Sequence, residues 1–230
     1  MFFYEIHCHT QETSRCSRSS AREMVADYKR RGFTGMVITD HFVNGYSYAA
    51  FPDTWEGKMD AFVKGYHEAK KAGDELGLKV YFGFEYTNGH GTGEDYLVLG
   101  LSEEHLRNDL VDCDTWGLEH FIFKVHALGG IVIRAHPYRQ ADYITRPAPE
   151  RPGLDVDAIE VFNGGNASEK YNLQALEWAL KEGKPMVAGS DTHHVSTNAI
   201  DYIGFDEDPK DYAALCNAIR CAGAFIIHKQ

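Results

Sequence analysis

Two histidines, His7 and His9, stand two positions apart in "YEIHCHT" near the start of the chain, in a run that reads as a short strand. Alternate residues of a strand share a face, so both imidazoles point the same way, with Glu5 behind them. Paired nitrogen donors converging on one point are what a metal ion needs. A lone H-x-H is short and common, and it equally suits a polar strand end that touches only water or a neighbouring carbonyl.

Similar residues recur at the ends of later strand-like runs. "GMVIT" leads into Asp40 and His41, "KVYFGF" into Glu85, and "GGIVIRAHP" into His136; "DAIEVFNG" carries Glu160 and Asn163, and "PMVAGSDTHH" delivers Asp191, His193 and His194. Parallel α/β folds gather their chemistry at the carboxyl ends of their strands. Singly, each residue has an ordinary explanation: Asp40 as a cap, His136 as a buried histidine bonded to backbone, Asp191 in an Asx turn. Together they form a ring of imidazoles and carboxylates that would crowd ionisable groups with no balancing partner. Divalent cations are the natural partner.

The elements that must position these groups follow from periodicity. Apolar, β-rich runs fall at 2–8, 35–39, 79–86, 96–101, 131–135, 158–162, 186–189 and 202–205, most of them followed by helix-like stretches. That alternation predicts an α/β architecture. The helices are expected in "SSAREMVADYKRRG", "WEGKMDAFVKGYHEAKKAGDELG", "DTWGLEHFIFKVHALGG", "SEKYNLQALEWALKEG" and "PKDYAALCNAIRCAG", each ending at or beside a glycine. "VYFGFEYTNGHGTGEDYLVLG" departs from the alternation and reads as a β-hairpin. The stretch 138–157, rich in proline and charge, is expected to be a long loop.

The totals bound the function. The chain has 230 residues, 43% hydrophobic and 25% charged, which suits one globular domain spanning 1–230. Lysine and arginine number 23 against 34 aspartates and glutamates, a net charge of -11, the wrong sign for gripping a long polyphosphate backbone. Nucleic acid is disfavoured as a partner; a small phosphate ester is not. The five cysteines are scattered and show no C-x-x-C spacing, so they are expected to be reduced. With no signal-like amino terminus and no long apolar run, a soluble cytoplasmic protein without membrane contact is expected.

The ordered motifs "EIHCHT", "TDH", "GFE", "AHP" and "SDTHH" resemble the PHP family, named for polymerase and histidinol phosphatase proteins. The resemblance runs from residue 5 to residue 194. It implies a distorted (β/α)7, TIM-like barrel with two or three divalent ions at its carboxyl end, zinc, manganese or iron, usually hydrolysing phosphate esters. Carried over by position, His7, His9 and Asp191 would hold a first ion, and Glu85 would bridge to a second that also takes His136. A further second-site ligand, commonly a histidine in the family, falls here at Asp95, which the returning hairpin strand brings back beside Glu85. His90, in the turn, is the competitor.

A third ion would take His41, His193 and one ligand from the loop after the first strand. Here the chain departs from the family's usual aspartate or histidine, offering Glu12 or Cys16 in "HTQETSRCSRSS". Position favours Cys16; ligand hardness favours Glu12 for manganese or iron. Asp191, Glu85 and His193 would form the catalytic set, with Asp40 and Glu160 orienting histidines and His194 turned outward. Arg15, Arg18 and Arg139 are candidates to clamp phosphoryl oxygens, Arg18 least of all.

The implied chemistry is hydrolysis of a small phosphomonoester or nucleotide, with a water between the ions turned toward hydroxide as nucleophile. In keeping with that, the chain has no nucleophile elbow, P-loop or Rossmann fingerprint. Alternatives are an exonuclease-like phosphodiesterase, a non-catalytic metal-binding regulatory module, and a hydrolase of amides or lactones. Loop aromatics Tyr46, Tyr48, Trp55 and Tyr143 would either stack on a substrate ring or pack their own loops.

Overall fold

The computed structural model describes residues 1–42, 45, 51–89, 91–147, 151–195 and 201–228. In chain order these residues form β1 (Phe2–Glu5), α1 (Ala21–Arg30), β2 (Gly35–Ile38), β3 (His41–Phe42), α2 (Trp55–Phe62), α3 (Lys64–Leu76), β4 (Lys79–Thr87) and β5 (Asp95–Leu99). There follow α4 (Glu103–Asn108), α5 (Leu118–Ala127), β6 (Ile131–Arg134), β7 (Ala158–Asn163), α6 (Glu169–Glu182), β8 (Met186–Gly189), β9 (Asp201–Phe205), α7 (Tyr212–Arg220) and β10 (Phe225–His228). Among the described residues no helix is long and apolar enough to cross a membrane.

The strands share one sheet in the order β10-β9-β1-β2-β4-β5-β6-β7-β8, with β3 extending the pairing on β4. β5 runs antiparallel to both β4 and β6, as the hairpin requires, whereas β1–β2, β2–β4, β6–β7 and β7–β8 are parallel. The sheet nearly closes on itself. Past the end of β1, Cys8 bridges Thr192 beyond β8; the His9 N–H donates to the Thr192 carbonyl at 3.0 Å and the Thr192 N–H to that of His7 at 3.3 Å. At the opposite end the antiparallel ribbon β9–β10 lies between β1 and β8. Seven staves, β1, β2 and β4 to β8, thus make the expected distorted barrel, and the ribbon accounts for part of its distortion.

Strands β2, β5 and β6 are buried along their whole length, as expected of a sheet covered on both faces. Inside, Leu97, Leu99, Ile131 and Ile133 fill the lower barrel. Outside, Phe84, Tyr86, Phe121 and Ile122 seal β4 to α5, and Met24, Tyr28, Met36 and Ala69 seal β2 to α1 and α3. The apolar layers leave only the carboxyl rim for the donors.

The helix termini follow the sequence signals. Ser20 and Glu23 form a capping box at α1, Ser168 and Asp211 cap α6 and α7, and Gly183 ends α6 in the left-handed conformation. The stretch expected as one helix from Trp55 is instead two. The Thr13 hydroxyl donates to the Phe62 carbonyl at 2.8 Å and accepts the Gly65 N–H at 3.0 Å, inserting into the ladder at Val63. A side chain from the loop after β1 thereby ties that loop to the α2–α3 junction. Strands β3 and β10 and helix α4 are additions to the elements expected from periodicity.

Candidate metal centre

The carboxylate of Glu85, on β4, occupies the middle of the rim. Its Oε1 lies 3.3 Å from His7 Nε2 and 3.0 Å from His136 Nε2; its Oε2 lies 3.6 Å from His9 Nε2 and 2.6 Å from His41 Nδ1. Each oxygen therefore faces two imidazoles. Asp191 Oδ1 stands 3.1 Å from His9 Nε2, 3.4 Å from His7 Nε2 and 3.5 Å from His193 Nδ1, and Asp95 Oδ2 is 3.9 Å from His136 Nε2. The His9 ring stacks on those of both His41 and His193, at centroid distances of 4.3 and 4.2 Å, and these two lie 5.8 Å from each other.

Ligand atoms within 4.8 Å of one another form four overlapping sets: His7–His9–Glu85, His7–His136–Asp191, Glu85–Asp95–His136 and His9–His41–His193. Buried polar atoms normally find hydrogen bonds. Here His7 Nε2 and His9 Nε2 find none, and both belong to residues of the cluster. Imidazole nitrogens and carboxylate oxygens crowded on one centre are a donor set for divalent cations, so the residues fit such ions.

The surrounding residues fix ring orientations. His7 Nδ1–H donates to Glu160 Oε1 at 2.8 Å, which leaves the Nε2 lone pair facing the centre. The other oxygen of Glu160 accepts the His136 N–H at 2.9 Å and Asn163 Nδ2 at 2.8 Å. Asp40 acts at one remove: it accepts from the Thr10 N–H, the Thr10 hydroxyl and the Ser14 hydroxyl at 2.6–2.7 Å, and Ser14 Oγ lies 3.4 Å from His9 Nδ1. Arg139 grips Asp191 Oδ2 at 2.5 Å and Asn163 Oδ1 at 2.6 Å through one Nη, with Nε on Asn166 at 3.1 Å. His136 and Asp191 both sit at positive φ, +24° and +51°, a strained backbone that surrounding contacts must hold.

Electrostatics follow from burial and crowding. Burial opposes charge on Glu85 and Asp191, yet His41 and His7 beside the first, and His7 and Arg139 beside the second, hold both carboxyls well below the usual range. Burial likewise opposes charge on His7, but the Asp191, Glu160 and Glu85 carboxylates outweigh it and raise its pKa well above the ordinary value. His9 moves the other way, lowered by burial and by the neighbouring His193 and His41. Burial pushes Asp40 up to about 6 against its hydrogen bonds. For Cys16, hydrogen bonds with His193 and His41 overcome burial and bring the thiol down to about 7.

Of the residues singled out in the sequence, the fold brings together His7, His9, His41, Glu85, Asp95, His136, Asp191 and His193. Cys16 hydrogen-bonds His41 and His193. Glu12 does not join them: both its oxygens accept the Ala21 N–H, at 2.9 and 3.1 Å, because the exposed amino end of α1 needs an acceptor. Nor does Glu5 stand behind the histidine pair. β1 ends at Glu5, whose Oε1 takes the Ile6 and His7 N–H groups that have lost their ladder, while Oε2 accepts from Tyr28 on α1.

Arg139 is at the centre, but it fastens Asp191; Arg15 lies exposed on the loop after β1. His194 is half-buried, and Trp55 packs edge-on against Phe42. His90, Tyr46 and Tyr48 lie outside the described residues. Sequence reasoning missed Ser14, for which no spacing signal existed. It left Tyr143 undecided; the Tyr143 hydroxyl meets Arg139 while the residue stays 60% exposed beside Asp95 and Asp191.

The geometry has relatives. In a two-domain protein from Bacteroides vulgatus, described as containing a predicted PHP-like metal-dependent phosphoesterase, the same fold recurs with a TM-score of 0.71 at 14% identity, over 99% of this chain and 64% of that one. An uncharacterized protein of Methanocaldococcus jannaschii is 28% identical over 164 residues, 70% of this chain and 76% of its own length. A PolC-type DNA polymerase III from Caldanaerobacter subterraneus subsp. tengcongensis is 29% identical over 133 residues, 56% of this chain; the chain spans only 8% of that polymerase. The PHP-associated family model matches residues 169–223. The PHP domain model matches residues 5–147, more than half of the chain and a span that holds Cys16 and six of the eight gathered donors, all but Asp191 and His193, and the chain belongs to the PHP family.

Proposed function

We propose that this protein is a metal-dependent phosphoesterase that hydrolyses a small phosphorylated metabolite, a phosphomonoester or nucleotide, using two or three divalent ions of zinc, manganese or iron. The observation that carries the reading is Glu85, a buried carboxylate whose two oxygens each face two imidazole nitrogens at 2.6–3.6 Å. His7, His9, Glu85 and Asp191 would hold one ion, and Glu85, Asp95 and His136 a second. Divalent ions bound there would polarise the phosphoryl group and acidify an attacking water.

The chain's own residues do the remaining work. Glu160 keeps the His7 Nδ1 proton away from the centre, and Asp40, through Ser14, steadies His9. Arg139 holds Asp191 in its strained conformation and presents, with the Tyr143 hydroxyl, the polar wall closest to where a phosphoryl group would lie. The net charge of -11 favours a small ester over a polymer. The similarity to a polymerase segment favours a second reading, trimming of nucleotide ends.

The test is a panel of phosphomonoesters, nucleotides and a labelled oligonucleotide, assayed with manganese-, zinc- or iron-loaded protein beside Asp191→Asn. Turnover of a monoester, lost in the variant while its far-ultraviolet circular dichroism is retained, is expected. Cleavage confined to the oligonucleotide would favour end trimming. Absence of turnover across the panel, with metal bound, would leave a regulatory module.

A further inference from the structure

We propose that Cys16, with His41 and His193, forms a thiolate-bearing cation position, one that takes zinc, ferrous iron or cobalt in preference to manganese or magnesium. The inference rests on the metal-centre reading above and specifies the chemistry of its least conventional corner. It starts from the loop after β1. The Ser14 N–H donates to the Thr10 carbonyl at 2.8 Å and the Ser17 N–H to that of Ser14 at 2.9 Å, coiling the loop tightly. The Ser17 hydroxyl then reaches the His9 and His193 carbonyls at 3.2 and 3.0 Å, and the Arg18 N–H donates to the His193 carbonyl at 2.9 Å.

The loop is thus pinned on both sides of residue 16 to the strand ends that carry the histidines. Its thiol, at that point, hydrogen-bonds both His41 and His193. The rival oxygen ligand is engaged elsewhere, since the Glu12 carboxylate caps α1 through Ala21.

A second observation points to a cation in the same corner. His9 is fully buried and forms one set with His41 and His193, yet its Nε2 has no hydrogen-bond partner. His193 Nδ1 is committed to the Asp191 carbonyl at 2.9 Å, which leaves Nε2 as that ring's donor atom. One sulfur with two imidazole nitrogens is a borderline-soft set. It matches zinc, cobalt and ferrous iron and disfavours the hard ions manganese and magnesium, which seek oxygen.

The experiment is reconstitution of the full chain with cobalt(II), followed by visible and near-ultraviolet absorption, on wild type, Cys16→Ser, Cys16→Asp and Cys221→Ser; Cys221 is the exposed cysteine and serves as control. Expected are a sulfur-to-cobalt charge-transfer band in wild type and Cys221→Ser, its loss in both Cys16 variants, and about a tenfold or greater shift of Cys16→Asp toward manganese. A second measurement on wild type guards against misfolding of the variants: bound zinc should slow alkylation of Cys16 and leave that of Cys221 unchanged. Cobalt d–d bands without a charge-transfer band, a band that survives Cys16→Ser, or zinc-independent alkylation of Cys16 overturns the assignment while the metal-centre reading stands. Failure to take up cobalt at all overturns both.

Discussion

Glu160→Gln is a near-isosteric change that should damage the centre without touching a proposed ligand. The Glu160 carboxylate accepts three hydrogen bonds, one from His7 Nδ1 through Oε1 and two, from the His136 N–H and Asn163 Nδ2, through Oε2. A glutamine has one acceptor oxygen and one NH2 group, so it cannot serve both sides. With its oxygen toward His7, the amide protons meet two donors. Turned the other way, the NH2 forces the proton of His7 onto Nε2, where it blocks the atom facing Glu85 and Asp191.

Either arrangement leaves a buried donor unpaired, costing about 1–3 kcal/mol. Loss of a group that orients a ligand typically weakens metal binding by about 10- to 100-fold, about 1.4–2.7 kcal/mol. Zinc or manganese affinity, measured by chelator competition, should fall in that range. Urea denaturation in excess chelator would separate the part of the cost borne by folding alone. Metal affinity within about twofold of wild type, in a variant folded as judged by circular dichroism, would refute the view that Glu160 sets the His7 tautomer.

Two further outcomes follow from the packing around the centre. A Cβ at Gly65 would overlap Thr10 Oγ1 and lie 2.5 Å from Asp40 Oδ2, so Gly65→Ala should lower stability by about 1–3 kcal/mol, read as a smaller urea midpoint at unchanged slope. A midpoint equal to wild type would show that the α2–α3 junction yields. Far from the centre, the hydrogen bond to Asp157 holds the His126 pKa above its ordinary 6.5 despite partial burial. The protonated pair therefore contributes its full stability below about pH 6.5 and loses it as pH rises through the raised value. His126→Gln, which can still donate to Asp157, should be less stable than wild type in acid and converge with it in alkali; a gap that widens with rising pH would contradict the assignment.

The alternation of apolar strands with capped helices follows from local rules, and Ser20, Ser168, Asp211 and Gly183 mark helix ends where side-chain and glycine chemistry alone demand them. The hairpin from 79 to 99 was equally legible, because its glycine-rich turn leaves little alternative to antiparallel return. So were the donors at strand ends: parallel staves that share one sense deliver their carboxyl ends to one rim, whatever their separation along the chain. Residue type and position therefore sufficed to nominate His7, His9, His41, Glu85, His136, Asp191 and His193, whereas Asp95, which opens the antiparallel β5, was nominated by the family resemblance.

What they could not decide was which neighbouring polar group turns inward. Glu12 and Cys16 were equivalent candidates until the unsatisfied end of α1 was seen to claim Glu12. Glu5 shares a strand period with His7 and His9, but the ladder stops beneath it and its carboxylate answers the freed amides. Arg139 reads as a phosphate clamp in one dimension and as the fastening of Asp191 in three. Ser14 and Thr13 carried no signal at all, because their roles depend on contacts with Asp40 and with the Phe62–Gly65 backbone, groups 26 to 52 positions away. Periodicity encodes which face a residue occupies; only closure of the barrel, which sets distances between remote strand ends, determines its partner.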